Sequence, residues 1–276
     1  DLDCAYSQTV WAAIAGVIPR FERTGIDEGY LDLGRPAGGD WLAARALAEA
    51  VQASVRAAAE LTCSLGVAPS KVVAKVASDR RKPGGITVVR AGREAAFLAP
   101  LPVRILPGVG PKSAARLQAA GVETIGALAA LEGADLQRLL PGKWGRLMHE
   151  RARGVDPRGI EGPSPNVSIS QEETFERDVS DRQRLHDELH RMAASLARKL
   201  RDDGRCARTV TTKLRYPDFS IRSRSQTLVA GIDDADTIGT LACSLLDRAL
   251  ADRPGALRLV GVGVSGLEPF QQLTLV

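Results

Sequence analysis

Apolar residues recur at helical spacing in two long segments near the start of the chain. Residues 4–18 predict one helix, and residues 38–61, rich in alanine and leucine, predict another with Asp40 as its N-cap. Between them, the segment RFERTGIDEGYLDLG (residues 20–34) is typical of a hairpin of two short strands. Residues 62–89 predict strand, turn, helix, loop and strand. The pattern therefore predicts a two-layer α/β unit.

The rest of the chain divides into a helical part and a second mixed part. Residues 103–131 predict two short helices joined by glycines, and residues 134–154 continue the helical pattern. Residues 155–167 are rich in proline and glycine and predict an interdomain tether. After residue 167 the order strand, helix, two strands, helix, strand predicts a four-stranded antiparallel sheet backed by two helices.

Composition narrows the possible function classes. A chain of 276 residues with 44% apolar residues suits two or three packed domains. It has no apolar run long enough for a membrane span and no signal-peptide pattern, so we expect a cytoplasmic protein. A net charge of +4 favours a polyanionic partner, and only 4% aromatic residues disfavours binding by base stacking. The scattered cysteines predict free thiols rather than a zinc site, namely Cys4, Cys63, Cys206 and Cys243.

The adjacent carboxylates Asp27 and Glu28 lie in the predicted hairpin turn. Carboxylate oxygens suit Mg²⁺, which usually takes one or two protein carboxylates together with phosphate oxygens and water. Two such ions can activate a 3′-hydroxyl and stabilise a departing pyrophosphate. An Asp-Glu pair in a turn is also common on solvated surfaces, so the neighbouring sequence has to decide between the two interpretations.

Two segments resemble the Y-family, or translesion, DNA polymerases. GIDEGYLDL resembles the family motif S-I-D-E-A-Y-L-D, and SLGVAPSKVVAKVASDRRKPGGITVV resembles the family's palm segment. Gly25 and Ser70 depart from the usual serine and asparagine. The resemblance implies an α+β multidomain protein. Its expected parts are a partial palm (1–99), a helix-hairpin-helix thumb (100–157), a linker (158–166), a little finger with a four-stranded antiparallel sheet and two helices (167–268), and a tail (269–276).

The resemblance also implies roles for individual residues. Asp27 and Glu28 are expected to be catalytic and to bind two Mg²⁺ ions, and Lys82 is expected to contact the triphosphate of the incoming nucleotide. Lys71 and Lys75, four residues apart on one predicted helix, approach the primer-template DNA, support the palm, or form a basic face that is only solvated. The expected activity is error-prone, template-directed DNA synthesis across damaged bases.

Further residues are predicted to bind DNA. The segment LPGVGPKSAARLQAAGV is typical of a helix-hairpin-helix, whose backbone amides hold a phosphate without reading sequence; an ordinary glycine turn is the alternative. Basic residues on two neighbouring strands would form a sheet face that neutralises phosphates, unless they only protect an edge strand. The residues concerned are Gly108, Gly110 and Lys112 in the helical part, and Lys213, Arg215, Arg222 and Arg224 on the strands.

The two ends of the chain carry weaker signals. Gln272, Leu273 and Leu275 resemble the short clamp-binding peptide of bacterial members, although Val276 departs from its final aromatic residue. The family begins with a strand that supplies a third metal-binding aspartate, followed by a fingers domain. Asp1 either mimics that aspartate or helps to cap the first helix. We therefore expect a partial chain, monomeric and inactive alone, that binds primer-template DNA; the alternative is a catalytically inactive accessory DNA-binding relative.

Overall fold

The computed structural model describes residues 2–162 and 166–270. It divides the chain into two compact units, Asp1–Ser164 and Pro165–Val276. The division falls inside the predicted linker 158–166. Four residues with predicted roles lie outside the described residues, namely Asp1, Gln272, Leu273 and Leu275.

The first half of the first unit contains the predicted hairpin, two long helices and a strand-helix-strand segment. Asp40 caps the third helix as predicted, because its carboxylate accepts a hydrogen bond from the amide of Leu42 at 2.9 Å. The four strands form two separate two-stranded sheets, one antiparallel and one parallel. The elements are α1 (Leu2–Val17), β1 (Phe21–Arg23), β2 (Gly29–Leu31), α2 (Gly34–Ala37), α3 (Trp41–Ala59), β3 (Leu65–Val67), α4 (Lys71–Ser78) and β4 (Ile86–Val88).

The second half of the first unit is helical. Its core is continuous with α4, because Val72 and Val76 belong to the same buried cluster as Leu117 and Met148. The helical core therefore includes α4 of the predicted palm, whereas α1 and α3 pack in separate clusters. The predicted helical run 134–154 is divided in two, at a proline that cannot supply a helical N–H. The helices are α5 (Glu94–Leu98), α6 (Pro111–Ala119), α7 (Ile125–Ala129), α8 (Gly133–Leu139) and α9 (Gly142–Ala152).

The second unit has the predicted split β-α-β plan. All strand pairs in its sheet are antiparallel, in the order β5-β8-β6-β7. Asp181 and Asp234 cap its two helices by accepting hydrogen bonds from first-turn amides. Apolar side chains of both helices and of the sheet form one buried cluster. The elements are β5 (Ser168–Val179), α10 (Arg182–Asp202), β6 (Arg205–Arg215), β7 (Ile221–Ile232), α11 (Ala235–Asp252) and β8 (Leu257–Pro269).

The structure bears on two features predicted from composition, the state of the cysteines and whether any helix could span a membrane. The four cysteines all lie within the described residues as free thiols, as predicted. Within residues 2–162 and 166–270, no helix combines the length and apolar character that crossing a bilayer would demand.

Candidate active site and nucleic-acid interface

The turn that carries Asp27 and Glu28 is a tight loop between β1 and β2. The amides of Thr24 and Gly25 both donate to the carbonyl oxygen of Glu28, at 3.0 and 3.1 Å. Gly29 follows at a place with no room for a side chain, because a Cβ there would lie 2.4 Å from the Glu22 carbonyl oxygen. The backbone on both sides of the carboxylate pair is therefore fixed.

Helix α1 holds the same turn from the other side. The indole N–H of Trp11 donates to the carbonyl oxygen of Ile26 at 3.3 Å, and the hydroxyl of Ser7 donates to the same oxygen. Arg23 donates to the Ser7 hydroxyl at 3.1 Å and lies over the Trp11 ring, 5.3 Å from its centroid. These contacts join the turn to a helix, so the two carboxylates are presented by a supported loop.

Two lysines of α4 pair with carboxylates of the hairpin. Lys75 donates to the carboxylate of Glu28, and this hydrogen bond raises the pKa of Lys75 above its usual 10.5. Lys71 is only 6% exposed, pairs with Glu22 and lies over the ring of Tyr30. The burial of Lys71 favours support of the palm, one of the alternatives that the sequence left open.

Asp27, Glu28, Lys75 and Lys82 line one cavity of about 950 Å³ in the first unit. Asp27 is exposed. Within residues 2–162 and 166–270, its carboxylate makes no hydrogen bond or ion pair. Lys82 pairs with Asp79 at 2.6 Å, and both side chains are about half exposed. The structure therefore brings the predicted metal ligands and the predicted phosphate contact to the same opening.

The donor set of this cavity fits a hard divalent cation. Asp27 offers a free carboxylate, and Glu28 offers a second one that is held in place by Lys75. Mg²⁺ needs only one or two protein carboxylates when phosphate and water complete its coordination. The described part of the chain contains no cluster of three or more acidic, histidine or cysteine side chains suited to a metal. Asp1, which the sequence leaves open as either a third ligand or a helix cap, lies outside it.

The helix-hairpin-helix residues lie before and at the start of α6. Gly108 has φ of +102°, and a Cβ there would lie 2.8 Å from Cε of the buried Met148. Gly110 is the N-cap of α6 and has open space around it. The first intrahelical bond runs from Ala114 to Gly110 at 2.9 Å, so the amide of Lys112 precedes it and can face a ligand.

Serine substitutions at these two glycines are expected to have opposite consequences for folding. Gly108→Ser requires an unfavourable backbone conformation and displaces a buried methionine, so the free energy of unfolding should fall by about 1–3 kcal/mol. Gly110→Ser supplies a favourable N-cap and should stay within about 0.5 kcal/mol of the parent or exceed it. Urea unfolding of the two variants measures the difference; equal midpoints would contradict the packing described for Gly108.

The four predicted DNA-binding cations of the sheet lie on two opposite faces. Residues that pair directly across an antiparallel ladder share a face. Arg222 pairs with Leu214 and Arg224 with Thr212, and both partners are fully buried beneath the helices. Arg224 also binds Asp252 at the end of α11. Arg222 and Arg224 therefore share a face, as predicted, but it is the face that the helices cover.

Lys213 and Arg215 project from the other face, which neither α10 nor α11 covers; we call this the open face. The four cations therefore do not form one basic surface. Lys213 binds Glu172 at 2.8 Å across Gly261, where a Cβ would lie 2.7 Å from Cγ of Glu172. Arg215 pairs with Ile221, half of whose surface is exposed.

Hydroxyl groups make up much of the open face, and the sequence reasoning missed them. Thr209 and Thr227 are joined by a hydrogen bond of 2.9 Å between their hydroxyls, and so are Thr211 and Ser225. Serine and threonine hydroxyls are common phosphate ligands. The signal was present in the sequence, since these residues alternate along TVTTK and SRSQT with the period of a strand.

Three family sequence models match the chain. Residues 4–79 match the impB/mucB/samB family, and residues 166–275 match the C-terminal domain of the same family. Residues 104–156 match the model described as DNA polymerase-iota, thumb domain. The three matches follow the order of the predicted palm, thumb and little finger.

Three proteins to which the chain is similar are DNA polymerases. The chain is 42% identical to a DNA polymerase IV of Methanoculleus marisnigri, covering 95% of this chain and 71% of that protein. It is 37% identical to a DNA polymerase IV of Streptomyces coelicolor, covering 99% of this chain and 57% of that protein. A solved Y-family DNA polymerase chimera of Dbh and Dpo4 shares the fold, with a TM-score of 0.87, 21% identity, and coverage of 98% of this chain and 77% of that one.

Proposed function

Because the chain belongs to the impB/mucB/samB family of Y-family translesion DNA polymerases, we propose that it binds primer-template DNA beside a two-metal nucleotidyl-transfer site. The observation that carries the proposal is the shared cavity of Asp27, Glu28 and Lys82 in the first unit. The reaction is attack of a primer 3′-hydroxyl on the α-phosphate of a deoxynucleoside triphosphate, with release of pyrophosphate.

Each residue of the cavity has a separate role in this proposal. Asp27 and Glu28 hold divalent cations, and a bound pair of Mg²⁺ ions would lower the pKa of the 3′-hydroxyl and stabilise the leaving pyrophosphate. Lys82 contacts the triphosphate as a point charge on a flexible stem, after exchanging its bond with Asp79. Lys75 keeps the Glu28 carboxylate facing the cavity. The supported hairpin turn fixes these groups before substrate arrives.

Two surfaces bind the DNA backbone without reading sequence. At the start of α6, the amides near Gly110 and the side chain of Lys112 bind one phosphate. In the second unit, Arg215, Lys213 and the hydroxyls of the open face bind phosphates along the duplex. Binding of this kind depends on counterion release, so its affinity falls steeply with salt.

The proposal extends to the metal, the oligomeric state, the cellular location and a protein partner of the chain. The cations are magnesium, the chain acts as a monomer in the cytoplasm, and a sliding clamp binds the C-terminal peptide. The support for clamp binding is the sequence pattern at Gln272, Leu273 and Leu275.

A titration of a fluorescent primer-template with the chain, at two salt concentrations, tests the proposal. We expect binding at low salt that tolerates changes of base sequence and that weakens by about 0.9 log units per phosphate contact for each tenfold increase in salt. Primer extension with Mg²⁺ and all four deoxynucleotides, run beside it, reports on transfer. Absence of salt-dependent binding would refute the DNA-binding proposal.

A further inference from the structure

The chain does not leave the first unit where α9 ends. The carbonyl oxygen of Gly154 accepts a hydrogen bond from the Ser70 hydroxyl at 2.9 Å. Further along, the carbonyl oxygen of Ile160 accepts one from Arg20 at 3.2 Å, and the amide of Glu161 donates to Glu22 at 2.8 Å. The sequence predicted a tether over residues 155–167, but its first half lies along the hairpin. We call residues 156–161 the post-thumb segment.

The start of the post-thumb segment is fixed by a bidentate ion pair. Arg158 donates to both carboxylate oxygens of Asp156, at 2.8 and 2.7 Å. The side chain of Asp156 has no exposed surface. Burial alone would raise the pKa of Asp156, but the hydrogen bonds from Arg158 outweigh it and leave the pKa below the usual 3.8. A two-bond pair to a buried carboxylate favours one backbone geometry.

Glu22 joins three parts of the first unit. Its carboxylate, on β1, accepts hydrogen bonds from Lys71 of α4 and from the backbone amide of Glu161. Burial alone would raise the pKa of Glu22, but these two bonds outweigh it and leave the pKa below the usual 4.5. Lys71 is only 6% exposed, and this carboxylate is its ion-pair partner. Glu22 therefore links the post-thumb segment to the hairpin and to the helix that also supports Glu28.

We propose that Glu22 is a positioning residue that joins the post-thumb segment to the hairpin carrying Asp27 and Glu28. Only the link to nucleotide transfer rests on the proposed function. The anchorage itself is a property of the first unit and can be measured without DNA. Through this bond the chain remains part of the first unit as far as Glu161.

Limited trypsin digestion at the Arg158–Gly159 bond tests the anchorage. Glu161→Pro removes the donor N–H and leaves the Glu22–Lys71 pair intact, so cleavage should become about 10-fold faster. Glu161→Ala is the matched control, because it keeps the N–H and changes only an exposed side chain. It should be cleaved at the parent rate. Equal rates for the proline variant and the parent, or equally fast cleavage of both variants, would overturn the anchorage.

Nucleotide insertion tests the positioning role. In a form of the protein that extends a primer, Glu161→Pro should slow single-turnover nucleotide insertion about 10-fold at saturating nucleotide. The reason is that small displacements of the reacting groups strongly lower the rate of transfer. The dissociation constant of this variant for primer-template should stay within about twofold, since Glu161→Pro changes none of the residues proposed to contact DNA. Faster trypsin cleavage with unchanged insertion would show a purely structural anchor and overturn the positioning role. A parent that neither binds nor extends DNA would instead refute the proposed function.

Discussion

Replacing Asp27 and Glu28 together by alanine is expected to abolish primer extension, with a loss of roughly 10³-fold or more in the rate of nucleotide insertion. In the proposed function the two carboxylates would hold the cations that activate the 3′-hydroxyl and neutralise the pyrophosphate, and such charge stabilisation lowers the barrier by several kcal/mol. Each 1.36 kcal/mol corresponds to about a factor of ten in rate. Asp27, which makes no pairing within the described residues, should account for much of the loss when it is changed alone.

The measurement is single-turnover insertion in a form that extends a primer. That form is the chain itself, or the chain joined to the part of the Methanoculleus marisnigri relative that it does not cover. Glu49→Ala is a suitable control, because Glu49 is an exposed carboxylate on α3 that pairs with Arg45. Primer-template affinity should survive in the double variant, which separates a loss of chemistry from a loss of binding. Unchanged insertion by the double variant would remove both residues from the metal site.

Most elements of the fold could be predicted because their signals are local. The helices α3, α10 and α11 each begin at an aspartate N-cap and carry apolar residues at helical spacing. The order of elements after residue 167 was enough to predict the sheet of the second unit. The short helices α2 and α5 were not predicted, because four or five residues carry too little periodicity.

The parts that could not be predicted depend on long-range pairing. Alternation along β7 places Arg222 and Arg224 together, but only the register with β6 decides which face they share. Lys71 has the same local pattern as Lys75, and its burial follows from the distant Glu22. The proline- and glycine-rich composition of residues 155–167 indicates a loop, and it does not reveal that Glu22 and Arg20 hold the first half of that loop.

Reversing both cations of the open face is expected to weaken primer-template binding far more than reversing both cations on the helix side. For Lys213→Glu with Arg215→Glu, loss of two phosphate contacts should lower the salt slope by about 1.8 and the affinity at 0.1 M salt by roughly 50-fold. Repulsion between phosphates and the new carboxylates adds to this loss. Arg215 should contribute more than Lys213, because Glu172 already pairs with the lysine.

The matched variant is Arg222→Glu with Arg224→Glu, which makes the same change of net charge on the same hairpin. Because these side chains share the face of the buried Leu214 and Thr212, the variant should lose less than about fivefold in affinity through the long-range field alone. Fluorescence anisotropy at several salt concentrations gives the slope of log affinity against log salt for each double variant. An equal loss in the two variants would mean that net charge, rather than the open face, governs binding. A larger loss for the arginine pair would place the DNA on the edge of the sheet beside α11.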